Sequence, residues 1–142
     1  MKLVQHVLEA KDGDVISIEG GLSVFDAIKL MADRAVGSLL VMDIGKLVGI
    51  VTERDYARKV ILKGRSSETT SVEEIMTTEV LTATAEQTVN ECMTLMTEKR
   101  IRHLPIVEED KVIGIISIGD LVQAIISDQR EEIEQLENYI SG

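Results

Sequence analysis

A heptapeptide in the first half of the chain, Gly49-Ile50-Val51-Thr52-Glu53-Arg54-Asp55, returns in the second half as Gly114-Ile115-Ile116-Ser117-Ile118-Gly119-Asp120. The offset is 65 residues, and it lays residues 15–62 on residues 80–127 without a gap. Identical pairs run along the whole overlap: Val15/Val80, Val24/Val89, Leu30/Leu95, Leu39/Leu104, Gly49/Gly114, Asp55/Asp120 and Ile61/Ile126. Such a repeat restricts 142 residues to two copies of one unit related by pseudo-twofold symmetry. Each half alone is small for a free-standing domain, so the two are expected to pack as one module. The boundaries read from sequence are 1–65 for the first repeat, 71–127 for the second and 128–142 for a C-terminal amphipathic helix.

Both repeats present the same order of local signals. Val15–Ile18 and Val80–Ala83 are short β-rich runs. Ser23 with Asp26, and Thr88 with Glu91, have the spacing of a helix N-cap and its third residue. Apolar residues then recur at helical spacing: Val24, Ala27, Ile28 and Met31, matched by Val89, Cys92, Met93 and Met96. Two strands follow in each copy, Ser38–Met42 with Lys46–Val51 and His103–Val107 with Lys111–Ile116, joined closely enough for hairpins. A second helix begins near Glu53 and again near Ile118, the first stopping at Gly64. The fold class is therefore mixed α/β (α+β), β-α-β-β-α twice, with a polar linker at 64–70. Ser71–Glu74 predicts a helical turn serving repeat two, and Leu3–Leu8 its equivalent for repeat one. Beyond Ser127, Ile133, Leu136 and Ile140 form a narrow apolar stripe that needs a surface to lie on.

Composition narrows the function classes. Hydrophobic residues make up 44% but aromatics only 2%, so the core is aliphatic. A formal net charge of −10 opposes docking on nucleic acid or anionic lipid. No apolar run reaches the length of about 18 residues that spans a bilayer, and Met1–His6 lacks the features of a secretory signal. A cytoplasmic location is expected. The single cysteine, Cys92, stands at the repeat position of Ala27 and reads as a small buried thiol. His6 reads as an incidental surface residue. There is no phosphate-loop or dinucleotide fingerprint and no metal-ligand spacing, and nucleophile and general-base options are few. The expectation is a protein that is not an enzyme and requires no metal.

The Thr52-x-x-Asp55 and Ser117-x-x-Asp120 boxes carry the chemistry. Helix capping alone accounts for either copy, at about 0.5–2 kcal/mol. Two features add to it. Gly49 and Gly114 sit inside strands, where glycine marks close approach of a ligand or another backbone. A hydroxyl and a carboxylate also share the carboxyl end of a strand beside a helix N-terminus. A ribose diol needs a carboxylate acceptor, and a phosphate suits hydroxyls and free amides.

With G-h-h-[S/T]-x-x-D closing each of two β-α-β-β-α units, residues 4–127 resemble the tandem CBS-domain pair, or Bateman module, in its small stand-alone form. The resemblance implies an adenosine-containing ligand (AMP, ADP or ATP first, with NAD or S-adenosylmethionine as further members) in the cleft between repeats. It implies one site made by Ser117, Asp120 and Ile115, with Arg102 and His103 near phosphate and Ile16, Val36 and Gly37 beside the base. The pseudo-symmetric site uses Thr52, Asp55 and Ile50, with Leu81 and Ile101 opposite. Arg54 and Arg58 could serve its phosphates, although a solvent-facing helix accounts for them as well. The run Lys99–His103 concentrates cations where repeat one has the nearly uncharged Arg34–Ser38, which ranks the Ser117/Asp120 site as the tighter one. The proline frequent before the second strand in this family is present as Pro105 but replaced by Leu40 in repeat one.

The leading expectation is a regulatory sensor, a homodimer signalling to a separate, unknown partner protein, with no nucleic-acid or membrane partner. The rival is a structural adaptor that mediates assembly without a ligand.

Overall fold

The computed structural model describes residues 2–11 and 15–141; the domain limits at 1 and 142, and residues 12–14, lie outside the described residues. By spatial proximity the chain divides into two compact units, residues 15–80 and residues 1–14 with 81–142.

In the first-repeat unit, strand β1 (Ser17–Glu19) precedes helix α2 (Val24–Arg34); α1 (Val4–Ala10) belongs to the other unit. The Ser23 hydroxyl accepts the Asp26 amide at 3.1 Å, satisfying an N-terminal donor that the helix leaves open. Helix α2 buries Val24, Ala27 and Met31, then stops at Ala35 in the left-handed conformation (φ 54°). Strands β2 (Ser38–Asp43) and β3 (Lys46–Thr52) form an antiparallel hairpin, with β1 parallel to β2. Ile44 and Gly45 both have positive φ (47° and 73°), the two-residue turn that matches strand twist. After β3 come α3 (Glu53–Tyr56), a wide π-helical turn at Ala57–Ile61, and α4 (Val72–Ile75). Ile18, Val24, Met31, Leu39, Val41, Val51, Val60, Val72 and Ile75 form an aliphatic core, as the composition required.

The second-repeat unit copies this plan: α5 (Val89–Lys99) capped by Thr88, Arg100 left-handed at the position of Ala35, then β4 (His103–Glu108) and β5 (Lys111–Ser117). Each hairpin carries an irregularity at the matched place, Val41/Met42 and Ile106/Val107. Cys92 is fully buried, and burial, with Glu91 adding to it, pushes its thiol pKa up, consistent with an inert core residue.

Four expectations need correction. Val80–Ala83 is not a strand; only Ala83 makes a parallel bridge to Ile106. In repeat one the Leu40 amide donates to Ile16 O at 3.1 Å and extends the parallel ladder. The matched donor in repeat two would be the nitrogen of Pro105, which has no hydrogen, so that rung is lost. The C-terminal helix is present but does not begin at 128: α6 runs unbroken from Ile118 to Ser141, since nothing after Ser127 interrupts helical geometry. His6 is exposed, as expected, but it is not incidental, because its Nδ1 accepts the Leu3 amide at the first turn of α1.

The short helices also serve the opposite repeats from those expected. Lys2 O accepts the Val89 amide, and Val4 and Gln5 donate to Gln87 O and Ala85 O, so α1 is built into the second-repeat unit. Thr70 O accepts the Val24 amide and Val72 N donates to Leu22 O, so α4 is built into the first. Fully buried Val4 and Val72 seal the respective cores. The strand glycines are explained here. A Cβ on Gly49 would come within 2.6 Å of Met76 Sδ and 3.0 Å of Thr77 O. On Gly114 it would meet Leu8 Cδ2 at 2.6 Å. Both glycines make room for the segment at or after the short helix.

Candidate functional site

In the second-repeat unit β5 delivers Ser117 to the N-terminus of α6, and the Ile118 amide donates to Arg102 O at 2.9 Å, tying the starts of β4 and α6 together. The capping box forms as read from sequence: Ser117 N to Asp120 Oδ2 at 2.8 Å and Asp120 N to Ser117 Oγ at 3.1 Å. Asp120 stays partly open, with 27% of its side chain accessible. A residue that sequence reasoning missed completes the corner. Lys11 Nζ reaches Asp120 Oδ2 at 2.8 Å and Ile115 O at 2.7 Å. No local spacing signals this contact, because 109 residues separate the partners.

The electrostatics follow from that arrangement. Burial works to raise the Asp120 pKa, but the Lys11 ammonium and the Ser117 amide outweigh it and hold the carboxyl below its ordinary value. Half-buried His103 is shifted down, first by burial and then by Lys11, with Asp120 opposing and Arg102 adding a smaller downward push. At neutral pH this leaves a carboxylate, an ammonium, the exposed guanidinium of Arg102 and a neutral imidazole around one strand end.

The first-repeat corner is differently committed. Asp55 is buried, with 9% exposed. Its Oδ2 accepts the Thr52 amide (3.0 Å) and hydroxyl (3.2 Å), while Oδ1 takes Lys59 at 3.1 Å. Lys59 also donates to Ile75 O at 2.8 Å. Ile50 N and O are both bonded to Thr77. Lys59 was within reach of sequence reasoning, being four residues from Asp55 on a helix. Arg54 and Arg58 are exposed.

The remaining predicted residues divide by unit. Ile16, Val36 and Gly37 lie with Thr52, Asp55, Ile50 and Arg54 in the first-repeat unit, where Gly37 O accepts the Glu53 amide. Leu81 and Ile101 lie in the second-repeat unit with Arg102, His103, Ile115, Ser117 and Asp120. An open groove of about 830 Å³ in the first-repeat unit includes neither Thr52 nor Asp55 in its lining, and there Glu19, Asp26 and Asp33 outnumber Lys29, which opposes an anionic ligand. Among the described residues no cluster suits a metal ion, and no helix is long and apolar enough to cross a membrane.

Comparison with protein families matches the CBS domain at residues 8–62 and again at 72–127. The chain belongs to the CBS-domain family. It is a tandem CBS pair, 47% identical over 125 residues to the CBS domain-containing protein CBSX3, mitochondrial, of Arabidopsis thaliana. That match covers 84% of this chain and 61% of the plant protein's length. Among solved structures, a putative signal-transduction protein with CBS domains from Burkholderia ambifaria is 51% identical with a TM-score of 0.87, covering 90% of this chain and 96% of that one. The CBS domain pair of protein MJ0100, in complex with 5′-methylthioadenosine and S-adenosyl-L-methionine, has a TM-score of 0.79 at 27% identity, covering 89% and 98%.

Proposed function

We propose that this CBS pair is a regulatory module that binds an adenosine-containing ligand, with the Ser117/Asp120 corner as the stronger site. The observation that carries the reading is the partly open Asp120 carboxylate set beside Ser117, His103 and Arg102 at a strand's carboxyl end. A carboxylate there suits ribose hydroxyls, and the neighbouring cations suit phosphate. The adenosine-type ligands of the MJ0100 pair, which carry ribose and no phosphate, support the ribose half of this chemistry. AMP, ADP or ATP fit it best, NAD and S-adenosylmethionine are the further members, and no metal is required. The contacts assigned to Ile16, Val36, Gly37, Leu81 and Ile101 rest on the family resemblance alone. Thr52, Asp55, Ile50 and Arg54 would form the weaker site, since both Asp55 oxygens are already engaged.

Binding would shift a conformational or oligomeric equilibrium through differential affinity, and a separate protein would receive the signal. The proposed assembly is a homodimer and the proposed compartment the cytoplasm; the mitochondrion of the Arabidopsis relative is the alternative. A thermal-shift panel of adenine nucleotides tests the reading, because a ligand well above its dissociation constant stabilises by a few kcal/mol. A flat response to every member would refute it. The adaptor reading draws on a specific observation: both motif carboxylates are already ion-paired within the chain. Asp120→Ala separates the two, abolishing nucleotide-induced stabilisation under the sensor reading and changing nothing in assembly under the adaptor reading.

A further inference from the structure

Asp120 Oδ2 accepts two donors from within the chain, the Ser117 amide and the Lys11 ammonium, each at 2.8 Å. A vicinal diol offers two hydroxyl donors, and to grip both carboxylate oxygens it must compete with that ammonium. We propose that Lys11 is a latch on the Asp120 site: it yields the carboxylate to ribose and turns to an anionic group of the same ligand, so that the site selects phosphorylated over neutral ribonucleosides. The inference rests on the adenosine-ligand reading above.

The chemistry follows from what each ligand returns to the displaced cation. A neutral nucleoside replaces a charge-assisted hydrogen bond with hydroxyl contacts and leaves an ammonium without its anion. A phosphorylated nucleoside supplies a new anion, so the exchange is close to balanced. Lys11 can make the exchange because it sits just past the end of α1 on a flexible stem with 37% of its side chain accessible. Arg102 contributes a second fixed charge, whereas His103, held neutral by burial and by Lys11 itself, does not. The other corner lacks the device. Each lysine is also bonded to a backbone carbonyl, Lys11 to Ile115 O and Lys59 to Ile75 O. At the Lys59 corner, however, both Asp55 oxygens are engaged and 12% of that side chain is accessible against 27% for Asp120, so a diol has no open oxygen to enter by.

The test is calorimetry on the full chain with AMP and adenosine as probes, comparing wild type with Lys11→Met, which keeps the stem and removes the charge, and with Lys11→Arg. Wild type should prefer AMP over adenosine by about tenfold or more, a margin of the size a charge-assisted contact gives. Lys11→Met should bind adenosine about tenfold more tightly than wild type does and lose most of the AMP preference, while Lys11→Arg retains that preference. Wild-type affinities unchanged within about twofold in Lys11→Met, or weakened equally for both probes, would overturn the latch alone. Failure of wild type and variants to bind either probe at millimolar concentration would instead remove the nucleotide reading, and the latch with it.

Discussion

His103 and Asp120 make the second-repeat corner sensitive to pH in a calculable direction. Burial first, and Lys11 second, hold the His103 pKa below 6.5, so the unfolded chain takes up that proton at a higher pH than the folded chain. Stability therefore rises with pH through the window just below 6.5, and the penalty is complete once pH falls below the folded value. Substituting His103→Gln should flatten the pH dependence of the urea-unfolding free energy just below pH 6.5; an unchanged slope would show that the imidazole titrates freely. Asp120 acts further down, its downward shift contributing stability above 3.8 that disappears as pH drops through the folded value. Lys11→Met removes a repelling cation, so the His103 midpoint followed by NMR should move up. A stationary midpoint would mean that Lys11 does not face the imidazole in solution.

At the scale of elements, the two glycine strands differ in what opposes a side chain. Gly49→Ala drives a methyl against the Thr77 carbonyl and Met76, whereas Gly114→Ala meets only the end of the Leu8 side chain. Gly49→Ala should cost about 1–3 kcal/mol and Gly114→Ala clearly less, by chemical denaturation. Equal costs would mean that the Met76–Thr77 segment gives way as easily as Leu8. Helix α6 carries the assembly prediction. Ile133 and Leu136 are 53% and 62% exposed, and with Ile126 and Ile140 they form one stripe along a 24-residue helix. The intact chain should scatter light as a dimer and Ile133→Glu/Leu136→Glu as a monomer with its fold retained. A double variant that remains dimeric would place the interface elsewhere.

For the molecule as a whole, the exchange of short helices is the feature with most consequence. Val4 is fully buried in the unit built from residues 81–142, although it stands at the opposite end of the chain. Val4→Ala should therefore destabilise by about 2 kcal/mol, an ordinary cost for hollowing a core, and a surface-like cost under 0.5 kcal/mol would contradict the exchange. The repeat order, the hairpins, the caps at Ser23 and Thr88, and the Ser117/Asp120 box were all legible in the sequence, because each depends on residues a few positions apart. The missing rung at Pro105 was legible in principle, since a proline nitrogen cannot donate, but it required knowing that Leu40 donates to Ile16 in the first copy. The unbroken α6 was hidden by a change of composition at Ser127 that leaves backbone geometry untouched. The sequence by itself determined two copies of one unit and a hydroxyl–carboxylate box at the end of each. Tertiary structure alone decided which short helix seals which copy, and that Lys11 rather than a residue near Asp120 is its counter-ion. Local periodicity encodes contacts within a few turns of chain; a partner 109 residues away is chosen only when the packed core brings the two side chains together.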